Sequence, residues 1–149
     1  MVHALYYYFL IPEVVASHFG SSGKPDAWSS RDFFITVYLV SVGMTAVIFL
    51  GIVFGIPRLP NSMINLPHKD FWLSRERRDE TFHFFFHYFL WFGSATFLLL
   101  LDTFHQSFMV HLGRAVSLNH IWLSIILYLG FSIVWSVGLF VRFMGKKEG

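Results

Sequence analysis

The chain has 149 residues, of which 55% are hydrophobic and only 13% charged, with 19 phenylalanines and a formal net charge of +2. A soluble domain carries roughly 25% charged residues, so there is too little polar surface to cover a water-exposed globule of this size. There is no cysteine, which excludes disulfides, thiolate metal sites and thiol nucleophiles.

Residues 1–10 are apolar and aromatic. They lack the basic n-region and small-residue cleavage site of a secretory signal, and they are too short to span a bilayer. They read either as an interfacial segment with Tyr6, Tyr7 and Tyr8 at headgroup level or as the end of a helix that begins upstream. Residues 11–28 read as a compact outward turn. Gly20 and Gly23 admit positive φ, Pro25-Asp26 suits the centre of a β-turn, and Trp28 is an interfacial anchor.

Three stretches without Asp, Glu, Lys or Arg follow, over residues 33–57, 81–101 and 115–141. Each matches or exceeds the ~20 residues needed to cross about 30 Å of hydrocarbon. A backbone in lipid must satisfy its own hydrogen bonds, so each predicts a helix. The expected fold is therefore an all-α integral membrane protein with three transmembrane helices, near residues 31–56, 76–104 and 118–143. Ser29-Ser30-Arg31-Asp32, with Asp32 three residues after Ser29, is the expected cap segment of the first helix, and Pro57 and Pro60 end it. Ser74 is placed to cap the second and Asn119 the third. Residues 68–72 combine charge with aromatic anchors, as suits chain lying along the membrane surface.

The connections divide by charge. Residues 57–75, with Arg77 and Arg78 just beyond, carry Arg58, Lys69 and Arg75, and the tail of residues 144–149 carries Lys146 and Lys147, just after Arg142. The opposite side has only Lys24, Arg31 and Arg114. The basic side is expected to be cytoplasmic. Residues 1–30 and 105–117 then face outward, and the C-terminus faces the cytoplasm.

Two motifs carry a family resemblance. The first is Ile11-Pro12-Glu13-Val14-Val15-Ala16-Ser17-His18-Phe19-Gly20, continued by Gly23-Lys24-Pro25-Asp26-Ala27-Trp28. The second is Ile64-Asn65-Leu66-Pro67-His68-Lys69-Asp70-Phe71-Trp72-Leu73, followed by Arg77-Arg78. Over about residues 1–85 the chain resembles small bacterial membrane proteins that share a domain of unknown function, a domain related to one in the immunity proteins against the sporulation-delaying toxin. The resemblance implies a multi-pass protein of the bacterial cytoplasmic membrane, and it implies no reaction. Members of that family carry a further helix before the Ile-Pro motif, where this chain has residues 1–10.

Candidate chemistry rests on histidine, of which there are eight. His83 and His87 are four apart and share one helix face. Ionisable groups at lipid depth often face a partner or cavity, so this pair is the candidate for binding haem or chlorophyll. Hydrogen bonding to helix-borne hydroxyls such as Thr36 or Thr45 is the plainer alternative. On the outer side, His18, Asp102, His105, His111 and His120 are the candidate ligands of a divalent metal, imidazole and carboxylate being suitable donors. Otherwise they form an outer polar network. Asp102 near a helix C-terminus opposes the macrodipole and needs a partner, expected to be Arg114 or a histidine.

No phosphate-cradling glycine loop, nucleophile elbow or paired catalytic carboxylates occur, so no enzymatic role and no catalytic residue is expected. Topology accounts for the basic residues without nucleic acid. Besides the lipid bilayer, the expected partners are other membrane subunits, because membrane helices associate through small residues. The first helix has Gly43, Ala46 and Gly51, and the third has Ser132, Ser136 and Gly138. Three functions follow in order. They are an accessory or structural subunit of a larger bacterial membrane complex, a stand-alone toxin-immunity or sensing protein, and a haem-, chlorophyll- or metal-binding electron-transfer subunit.

Overall fold

A computed structural model describes residues 2–145. Lys146 and Lys147 of the expected cytoplasmic tail lie outside the described residues. The element order is α1 (Val2–Tyr8), β1 (Val14–Phe19), β2 (Pro25–Ser30), α2 (Arg31–Gly55), α3 (Lys69–Trp72), α4 (Arg78–His111) and α5 (Ile121–Met144). Helices α2, α4 and α5, of 25, 34 and 24 residues, are long and apolar enough to cross a membrane. The three expected spans are therefore present. Their most apolar stretches bury almost nothing within the chain, as suits helices whose solvent is lipid.

Three local features depart from expectation. The outward turn is an antiparallel hairpin, with Val14 opposite Ser30 and Ala16 opposite Trp28. Its tight end lies at Gly20–Gly23, where the Gly23 N–H donates to Gly20 O (2.8 Å) and the Gly20 N–H to Lys24 O (2.9 Å). Pro25 and Asp26 thus open β2 instead of centring a turn. Within the expected cap segment of α2 it is Ser30 that caps, in place of a Ser29–Asp32 box: its hydroxyl accepts the Phe33 N–H at 3.2 Å. Helix α4 runs to His111, seven residues beyond the expected 104, so the first part of the expected 105–117 loop is helical. It stops in a Schellman motif. Gly113 sits at φ +67°, the Arg114 N–H donates to Met109 O (2.9 Å) and the Gly113 N–H to Val110 O (3.0 Å).

The chain forms two compact units. The first comprises the residues up to Thr45 together with Thr96–Tyr128. Its core joins Ala4, Tyr7, Ile11, Val15, Phe34, Ile35, Tyr38 and Phe108, with Tyr7 stacked on Phe108 at 4.4 Å. The hairpin is tied to the α4–α5 connection by the Leu118 N–H donating to Gly23 O (2.8 Å). Trp122 of α5 adds an indole N–H to Ser21 O (2.9 Å).

The second unit comprises Ala46–Ala95 and the chain from Leu129 on. Ile64, Leu73 and Phe82 form its buried centre. The Arg78 guanidinium donates to Pro57 O (2.9 Å) and Leu59 O (3.3 Å), closing the loop after α2. Residues 69–72, expected as surface chain, form α3, and the Trp72 indole donates to Phe143 O (3.2 Å). Tyr88 and Trp135 bond reciprocally, hydroxyl to Trp135 O at 2.8 Å and indole N–H to Tyr88 O at 3.0 Å. Gly138 leaves room for this pair: a Cβ there would come 2.6 Å from the Tyr88 hydroxyl, which would have to shift.

Candidate functional site

The 3.6-residue repeat of α4 brings His83 and His87 onto one exposed face, with their Nε2 atoms 3.3 Å apart. The outer group separates. His18 pairs with Asp26 across the hairpin at 2.5 Å, both side chains being exposed. His111, at the end of α4, turns its Nε2 to Ala16 O (3.0 Å) and lies edge-on to Phe34. Asp102, His105 and His120 do share one cavity, of about 330 Å³, with Gln106, Arg114 and Asn119. Among the described residues, no three His, Asp or Glu side chains are arranged to hold a metal ion. The five-residue ligand set His18, Asp102, His105, His111 and His120 therefore does not converge.

Asp102 finds its compensation elsewhere than expected. Its Oδ2 accepts from Gln106 Nε2 (2.7 Å) and from Ser124 Oγ of α5 (2.6 Å). Gln106 Oε1 in turn accepts the His120 N–H (3.0 Å). Neutral donors thus satisfy the carboxylate, while Arg114 lines the same cavity.

A further cluster was not anticipated from sequence. His3 and Tyr7 lie one turn apart on α1. His3 Nδ1 is hydrogen-bonded to the Tyr38 hydroxyl at 3.1 Å. Its Nε2 faces His105 Nδ1 at 3.5 Å, and the Tyr7 hydroxyl faces the same His105 nitrogen at 3.5 Å. Burial, then the neighbouring His105, hold the His3 pKa below the ordinary 6.5. The i, i+4 spacing of His3 and Tyr7 is the only part of this cluster visible in sequence. Its other members come from α2 and α4.

Residues 1–45 match the family model described as Domain of unknown function (DUF1648). The match covers α1, the hairpin and the part of α2 within the first unit. It includes the Ile-Pro motif and stops before the second motif at residues 64–73. No curated protein and no solved structure matches the chain.

Proposed function

We propose that this protein is a non-catalytic accessory subunit of a bacterial cytoplasmic-membrane complex, packing against a partner helix through α2. The observation that carries this reading is a ridge on α2 that the chain itself leaves open. Val47, Gly51 and Gly55 follow at intervals of four, so they stack on one face. Val47 is 72% exposed, and a Cβ built at Gly51 or Gly55 would meet nothing within 4 Å. Glycines four apart let helix backbones approach closely in lipid. By contrast Gly138, which has the same small volume, is consumed inside the chain by Tyr88. The Lys/Arg distribution supports a cytoplasmic 57–75 loop and an outward hairpin.

The test is purification of the tagged chain in mild detergent with mass spectrometry of what accompanies it. A stoichiometric membrane partner supports the subunit reading, and a chain recovered alone from several detergents overturns it. The second reading, a toxin-immunity or sensing protein, draws on the matched segment, which builds the hairpin and exposes Val14 and Trp28 beside the membrane helices. Deletion of the gene would then sensitise cells to a membrane-acting peptide while leaving no complex disrupted.

A further inference from the structure

Both approaches to His105 Nδ1 in the α1 cluster are poor hydrogen bonds. Good N–H···O bonds fall at 2.7–3.2 Å, whereas His105 Nδ1 stands 3.5 Å from His3 Nε2 and 3.5 Å from the Tyr7 hydroxyl. A neutral imidazole nitrogen has one proton or one lone pair, so His105 Nδ1 cannot serve two neighbours well. The same spacing suits another arrangement. Donors held about 2.0–2.1 Å from a tetrahedral cation are roughly 3.3–3.4 Å from one another.

We propose that His3 Nε2, His105 Nδ1 and the Tyr7 hydroxyl bind a first-row transition-metal dication, with Tyr38 orienting His3. Imidazole donors suit copper and zinc. A metal-ligating histidine characteristically gives its other ring N–H to a fixed acceptor, and the Tyr38 hydroxyl at 3.1 Å from His3 Nδ1 is in that position. Tyr7 is buried, which fixes its direction, while His105 is exposed and gives an ion a way in. The site joins α1 to α4 within one unit, so the ion would hold α1 down. It is independent of the α2 ridge.

Cu²⁺ is the probe, because N/O sites bind it most tightly of the first-row dications. The full chain is used in a His83→Ala/His87→Ala background, since that exposed pair is itself a two-point chelator. Calorimetry is expected to show one saturable Cu²⁺ per chain, and electron paramagnetic resonance to show coupling to two imidazole nitrogens. His3→Ala and His105→Ala should each weaken binding at least ten-fold, and Tyr7→Phe by a smaller factor. Absence of saturable binding, or binding indifferent to either histidine substitution, overturns the site; loss with His3→Ala alone marks chelation by the amino-terminal segment instead. If a substituted chain loses its helical circular dichroism, the nitrogen count in the unsubstituted site decides: fewer than two overturns it.

Discussion

Gly23 is where the hairpin meets the rest of its unit. At φ +73° its backbone is in the left-handed region, and a Cβ would lie 3.0 Å from Leu118 O and 3.2 Å from Leu118 N. Gly23→Ala should therefore destabilise by about 2–3 kcal/mol, from left-handed strain and the weakened Leu118 N–H to Gly23 O bond. Thermal unfolding in detergent measures it. His3 predicts a pH dependence. Unfolded, it takes its proton near 6.5; folded, only at lower pH. Between these values the unfolded chain binds more protons, so stability rises with pH. The contribution is complete above the ordinary 6.5 and is lost as pH falls through the folded value. His105, Tyr7, Tyr38 and Phe108 face the ring. Lowering pH from about 7.5 to about 5.5 should depress the melting temperature more in the native chain than in His3→Gln; equal slopes would contradict this. Sequence singled out His105 but not His3. A long-range pairing between α1 and α4 leaves no trace in local spacing beyond the i, i+4 relation of His3 and Tyr7.

Helix α4 shows how an element outlasts its hydropathy signal. The apolar run ends at Leu101 because Asp102 follows, yet helical hydrogen bonding continues to His111. Asp102 is satisfied one turn on by Gln106, and the Thr103 and Ser107 hydroxyls donate back to Leu99 O and Thr103 O (2.8 and 2.9 Å). Polar residues that bond locally do not end a helix; the left-handed Gly113 does. The charge-free run gives no sign of that stop, twelve residues beyond Leu101. The hairpin was harder to read, because Val15 and Ala16 are both buried and the alternation of a half-buried strand is absent. Asp102 also ties α4 to Ser124 of α5. Asp102→Leu would remove the acceptor of the Gln106 amide N–H and leave the Ser124 hydroxyl only its longer bond to His120 O (3.2 Å), and should cost about 1–3 kcal/mol. A denaturant or thermal series against the unsubstituted chain reads this out, and no change in midpoint would contradict the assignment.

For the molecule as a whole, the number of spans was plain from sequence, since a charge-free run of membrane length has few other fates. The proposed sidedness rests on the Lys and Arg distribution, and single cysteines at Lys24 and Lys69 test it. An impermeant reagent applied to intact cells should label position 24 and not 69, and equal labelling would contradict the orientation. What packs on the exposed apolar faces left no comparable mark: Gly43, Gly51 and Gly138 look alike in sequence, yet only Gly138 meets a side chain of its own chain. The most direct measurement of the subunit reading is photocrosslinking in native membranes from a reactive residue at Val47. A cysteine pair at Phe92 and Phe131, whose rings stand 6.2 Å apart, serves as the internal control. The ridge predicts a discrete protein adduct at position 47 that Gly51→Leu abolishes. A control pair that crosslinks while position 47 yields only lipid adducts would contradict the subunit reading.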